Sequence, residues 1–173
     1  MAQVKIGHVK LDSPVLLAPM AGITDLPFRL LCREIGGVGL AGSELLNSRA
    51  IVLGIPAVRD KAKLHPDDRP LSVQVYGNVE DPLPQAGAWA VTQGATVIDI
   101  NMGCPVDKVC KKNGGSLLLK TPGRTANLAS QIVHACDGLP ETSNVRLCWV
   151  ANSLKAPNTA NRSAKPGTKP LTV

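Results

Sequence analysis

The chain has 173 residues, 44% of them hydrophobic and only 2% aromatic, and a formal net charge of +6. That length predicts a single domain, and a core of aliphatic side chains suits a parallel α/β protein. Five cysteines (Cys32, Cys104, Cys110, Cys136 and Cys148), odd in number and without a C-x-x-C, disfavour a disulfide framework or a zinc knuckle.

Taken in order, the chain alternates strand and helix signals. Val15 to Ala18 is an apolar strand ended by Pro19-Met20-Ala21-Gly22. Thr24 or Asp25 caps the next helix, which has Pro27 in its first turn and Gly36-Gly37 as its stop. Val38 to Leu46 holds a second strand and a loop carrying Glu44. Ser48 to Val58 reads as one short helix, and Lys61 to Arg69 as a charged loop. Leu71 to Tyr76 is the third strand, Pro82 to Gln93 a helix, and Thr96 to Ile100 the fourth strand. Thr121 to Cys136 is a helix with Thr121 as N-cap. Asn144 to Trp149 is expected as the fifth strand, Ser153 to Ala164 as a helix, and Leu171 to Val173 as the start of a sixth strand. Thr142 to Asn144 is polar where a strand should be apolar, and residues 158 to 170 mix Asn, Ser, Thr, Lys, Pro and Gly.

Strand and helix repeating every 25 to 35 residues predict βαβ units and a parallel sheet. The polar, glycine- and proline-bearing segments all follow strands: Pro19-Met20, Glu44, Gln74, Asn101 to Cys104, and Arg146. That is the rim at which a (β/α)8 TIM barrel holds its active site. No G-x-G-x-x-G follows the first strand, which disfavours a dinucleotide-binding domain. A whole barrel takes about 250 residues. The expectation is therefore a barrel truncated to about five βα units, with residues 1–140 its N-terminal part and 141–173 a weakened continuation.

The segment Thr96 to Gly115, T-V-I-D-I-N-M-G-C-P-V-D-K-V-C-K-K-N-G-G, carries the clearest chemistry. A strand ends in a glycine- and proline-stiffened turn that presents an amide, Asn101, and a thiol, Cys104. Lys108, Lys111 and Lys112 follow at once, with Arg124 beyond, and suit a phosphate-bearing partner. A solvated face is the commoner meaning of such charges, and a lone cysteine after a strand is more often a small buried hydrophobe.

Three motifs, A-P-M-A-G-I-T-D-L-P-F-R (18–29), V-Q-V-Y-G-N (73–78), and D-I-N-M-G-C-P with K-V-C-K-K-N-G-G (99–115), together resemble the tRNA-dihydrouridine synthases. The resemblance implies FMN on the barrel, NADPH as reductant of the flavin, and tRNA as partner, in an enzyme that is monomeric, cytoplasmic, free of metal and not membrane-bound. It implies hydride transfer from flavin N5 to C6 of a uracil and a proton from Cys104 to C5. A neutral thiol, with a reference pKa of about 8.5, can give that proton if it is held within reach. Pro19, Met20 and Ala21 would then lie against the flavin, with Gln74 on its polar edge. Asn101 would bond the uracil edge, its alternative being to cap its own turn, and Glu44 and Arg49 would meet substrate or each other.

The sequence also departs from the family pattern. Asn144 stands where the family has a flavin-contacting lysine, and Cys148 and Val150 replace a glycine and an aspartate. The histidine past the sixth strand and the glycine-rich phosphate loops would fall beyond Val173. Two further readings follow: a non-catalytic remnant, and a flavin reductase of free pyrimidines.

Overall fold

A computed structural model describes residues 4–145. Arg146 and most of the expected fifth strand, the helix from Ser153 and the strand from Leu171 lie outside the described residues. The chain opens with a small antiparallel hairpin, β1 (Lys5–Ile6) and β2 (Val9–Lys10), that the sequence pattern did not suggest. There follow β3 (Val15–Leu17), α1 (Leu26–Ile35), β4 (Val38–Gly42), the short β5 (Leu46–Asn47), α2 (Ser48–Val52) and α3 (Pro56–Arg59). Then come β6 (Leu71–Tyr76), α4 (Leu83–Thr92), β7 (Val97–Met102), α5 (Asp107–Cys110), α6 (Pro122–Ala135) and β8 (Glu141–Val145).

The strands pair in parallel in the order β3-β4-β6-β7-β8, with β5 also on β6. Each long strand lies beside the one before it, and the order never reverses. That excludes a doubly wound sheet, which has a switch point, and matches the opening part of a (β/α)8 barrel.

Register divides the sheet into two chemically different faces. Ser72 and Gln74 stand beside Val97 and Asp99, and Asp99 and Asn101 beside Thr142 and Asn144. Their alternates, Leu71, Val73, Val75, Ile98, Ile100 and Met102, are buried with Leu83, Ala86, Ala90, Leu128, Ala129 and Ile132 of α4 and α6. Gly87 allows those two helices to come close, since a Cβ there would sit 2.9 Å from Cys136 Sγ. On the other face Leu40 and Val97 pack with Ile6, Val9 and Leu11, so the N-terminal hairpin closes the floor of the barrel interior. Polar residues on that face begin one layer above the floor.

Three sequence expectations are corrected and another, the cap of α1, is narrowed to one of its two alternatives. Ser48 to Val58 is two helices, because Gly54 turns at φ +75° and Pro56 begins afresh as the first residue of α3. The fourth strand runs on to Met102, which places Asn101 inside β7 and not after it. Asp25 is the N-cap of α1, accepting from Phe28 N at 3.0 Å, while Thr24 is fully buried. The fifth strand starts at Glu141 and not Asn144: the polarity that argued against a strand at Thr142 is used by its hydroxyl, which donates to Asp99 Oδ1 at 2.6 Å.

Glu141 itself is out of keeping with its place. It stands beside Ile98 on the helix-facing side, with one carboxyl oxygen buried and unpartnered. Burial first, and the nearby Asp99 second, raise its pKa to about 8 from 4.5. Burial, with Glu141 and Asp137 adding to it, likewise raises the neighbouring Cys136 thiol to about 11, so that cysteine stays neutral core. The folded chain keeps the Glu141 proton over a range where the unfolded chain has released it. Stability therefore falls as pH rises from about 4.5 to about 8 and is level beyond. Replacing Glu141 by Val is expected to raise Tm at pH 8 by about 5 °C more than at pH 5. Thermal unfolding at the two pH values checks this, and an equal gain at both would contradict it.

Candidate active site

The loop after β3 is tied down at three points. Thr24 Oγ1 accepts from Met20 N at 3.0 Å and donates to Met20 O at 3.1 Å. Gly22 N donates to Glu44 Oε2 at 2.7 Å, and Lys61 Nζ holds the same oxygen at 2.9 Å. Arg29, fully buried, donates to Thr24 O at 2.7 Å and pairs with the equally buried Asp68 at 2.7 Å. A buried pair of this kind is weak evidence for net stability, yet removing one partner leaves an uncompensated charge, at a cost of about 3–5 kcal/mol. Gly42 lets the Pro19 turn lie across β4, since a Cβ there would fall 2.9 Å from Pro19 N. Pro19, Leu40, Gly42, Ser72, Asp99 and Thr142 line a largely apolar cavity in the barrel interior.

Above that cavity a single chain of hydrogen bonds crosses the strand mouths. Thr142 Oγ1 and Gln74 Nε2 donate to the two oxygens of Asp99. Asn101 Nδ2 donates to Gln74 Oε1 at 3.0 Å, and Cys104 N donates to Asn101 Oδ1 at 3.1 Å. Gln74 is 2% and Asn101 7% exposed, so the middle of the chain lies where its hydrogen bonds compete little with water. Burial raises the pKa of Asp99, against the opposing hydrogen bonds from Gln74 and Thr142.

Cys104 is half-buried and belongs to neither hydrophobic cluster, unlike Cys136 in the core. Its carbonyl accepts from Ser116 N at 3.1 Å and from Cys110 Sγ at 3.5 Å. The glycine pair makes this closure possible. Gly115 has φ +58°, and a Cβ on it would lie 2.5 Å from Cys104 O; one on Gly114 would lie 2.7 Å from Gly77 O. Both distances are shorter than real Cβ contacts.

Of the sequence candidates, the structure brings Gln74, Asn101 and Cys104 into one network, and Pro19 lines the same cavity as Asp99 at its inner end. Met20 is half-buried and Ala21 exposed. Position 144 is set beside Asn101 by the register of β8. Glu44 and Arg49 do not meet: Glu44 serves Gly22 and Lys61, and Arg49 pairs with Asp81. For Glu44, burial would raise the pKa, but the Lys61 and Gly22 hydrogen bonds outweigh it and hold the carboxyl below its usual value. Lys111 pairs with Asp107 at 3.2 Å and Arg124 with Glu80 at 3.0 Å, whereas Lys108 and Lys112 are exposed and in no ion pair among the described residues. No cluster of three or more metal-ligating side chains, and no helix long and apolar enough to cross a membrane, occurs among the described residues.

Sequence reasoning missed Thr24, Lys61, Asp99, Thr142 and the glycine pair as parts of the site. Asp99 had a readable signal: it alternates with Asn101 in an otherwise apolar strand, so the two share a face.

A parallel barrel sheet with a thiol and two buried amides at its strand mouths is the architecture of a barrel enzyme site. The family model described as Dihydrouridine synthase (Dus) matches residues 16–173, and the chain belongs to that family. It is 39% identical over 171 residues to a probable tRNA-dihydrouridine synthase of Rhodobacter capsulatus, covering 98% of this chain and 52% of that protein. It is 37% identical over 173 residues to tRNA-dihydrouridine synthase B of Pseudomonas aeruginosa, covering all of this chain and 52% of that protein. The corresponding protein of Yersinia pestis is 39% identical over 173 residues. The chain thus spans about half the length of the curated relatives it matches.

The glycine pair yields a test of the site's construction. Gly115→Ala must displace the Cys104 carbonyl, and it is expected to lower stability by about 1–3 kcal/mol. It should also change the rate at which iodoacetamide alkylates Cys104, read by mass spectrometry. Unaltered stability and alkylation would show that the close approach is not needed.

Proposed function

We propose that this chain provides the acid-bearing part of an oxidoreductase that reduces uridine in tRNA to 5,6-dihydrouridine. The observation that carries the reading is the hydrogen-bonded chain that ends on the Cys104 backbone and steadies its thiol at the strand mouths. An amide carries two N–H groups. Gln74 and Asn101 each use one inside the network, so each has one left for a ligand.

FMN fits this arrangement on its ring side. The free N–H groups suit the carbonyl and ring-nitrogen edge of an isoalloxazine or a uracil, and the half-buried Pro19 and Met20 offer an apolar wall for a flat ring. Pro19, Met20, Ala21, Gln74 and Asn144 are the proposed flavin-side set; for Asn144 the support is the register that sets its position beside Asn101. The phosphate site of such barrels lies after the seventh and eighth strands, outside the described residues. FMN, if bound there and reduced by NADPH, would supply the hydride.

The chain's own residues do the rest. Asn101 orients the uracil through its free N–H, and Cys104 gives a proton to C5 from the opposite face. The base must be splayed out of its stack to enter. Lys108 and Lys112, exposed and unpaired, are the groups best placed to meet tRNA phosphates, with Lys111 and Arg124 supporting them after exchange of their carboxylate partners. They favour tRNA over a free pyrimidine as substrate. Glu44 and Arg49, first expected at the substrate, are assigned to holding loops.

A chimera in which residues 1–145 replace the matching part of the Pseudomonas aeruginosa relative tests this. It is expected to bind flavin and form dihydrouridine in tRNA. Cys104→Ala in the chimera should slow turnover at least about 100-fold with flavin absorbance unchanged. Turnover unaffected by Cys104→Ala would reject the acid role.

A further inference from the structure

One end of the hydrogen-bonded chain is chemically unambiguous, and the other agrees with it. At one end a backbone N–H, that of Cys104, can only donate. At the other a carboxylate, Asp99, accepts from Gln74 and Thr142. Between them lie two amides, each of which can be turned either way. The ends leave one consistent solution. Cys104 N requires Asn101 to present its oxygen, so Asn101 turns its nitrogen to Gln74. Gln74 must then present its oxygen to Asn101 and its nitrogen to Asp99. Turning either amide over would set donor against donor or acceptor against acceptor at two buried contacts, and each unmet buried group costs about 1–3 kcal/mol.

We propose that Asp99, braced by Thr142, is a positioning residue that fixes the direction of the amides of Gln74 and Asn101 and through them the Cys104 turn. Each amide then keeps one N–H outside the relay, which is what the function proposed above draws on. The relay itself does not rest on that function, and the experiment addresses the relay.

The measurement is hydrogen exchange at the Cys104 amide in the 173-residue chain, followed by NMR. Asp99→Leu keeps the branched outline, in a larger side chain, but removes the acceptor, and it is expected to speed exchange at Cys104 about tenfold, as for the loss of one hydrogen bond. Asp99→Asn should restore protection to within about twofold, because its oxygen still accepts from Gln74 and its nitrogen donates to the Thr142 hydroxyl. A residue acting only as packing would instead raise exchange along β7 as a whole and not at Cys104 in particular. Wild-type exchange in Asp99→Leu, or exchange in Asp99→Asn as fast as in Asp99→Leu, overturns the proposal. Should Asp99→Leu not fold, Gln74→Met interrupts the same relay from the site mouth, with the same tenfold expectation, and wild-type exchange there overturns it equally. Failure of dihydrouridine formation in the chimera would leave this exchange result standing, so the two claims fail separately.

Discussion

A buried acidic side chain that reaches the Cys104 loop through two amides is the constraint on which this site depends. Asp99 sits in the interior of the barrel, above a floor sealed by the N-terminal hairpin, and its oxygens are taken by Thr142 and Gln74. From there the order of donors and acceptors is forced as far as the Cys104 backbone. The thiol's place is thus set from within the sheet as well as from its own turn. From the other side Gly115 closes on the Cys104 carbonyl and Gly114 on that of Gly77, and no side chain fits at either place.

The rest of the fold holds the strands in the positions this requires. The outer face of the sheet is aliphatic and seals against α4 and α6, which frees the inner face to carry Ser72, Gln74, Asp99, Asn101 and Thr142. The β3 loop is fixed independently, by Thr24 on Met20, by Glu44 and Lys61 on Gly22, and by the buried Arg29–Asp68 pair beneath. Pro19 of the β3 loop and Asp99 and Thr142 of the polar layer thus line one cavity, and Asp99 passes from it into the relay through Gln74 and Asn101.

Much of this was legible in the sequence because the signals were local. Gly36, Pro122 and the apolar runs 71–76 and 97–100 mark elements through backbone chemistry that tertiary structure did not override. The motif residues Gln74, Asn101 and Cys104 were legible as a set through family resemblance. What escaped depended on partners distant along the chain. Thr142 looked wrong for a strand until Asp99, 43 residues earlier, accepted its hydroxyl proton. Glu44 looked like a substrate group until Gly22 and Lys61 were seen to occupy it. The hairpin at residues 5–10 was too short to show a period of its own. Gly114 and Gly115 stood in the sequence only as part of a motif, since their reason is the nearness of backbone that no local pattern reveals.

The central claim is that the Cys104 amide is bonded to the side-chain oxygen of Asn101, at 3.1 Å. The most direct measurement is the scalar coupling across that hydrogen bond, between the Cys104 amide nitrogen and the Asn101 side-chain carbonyl carbon, in isotope-labelled protein. A resolved coupling, with one protected proton on the Asn101 side-chain nitrogen, is the predicted result. No coupling, together with a Cys104 amide that exchanges as freely as an open loop, would contradict the account.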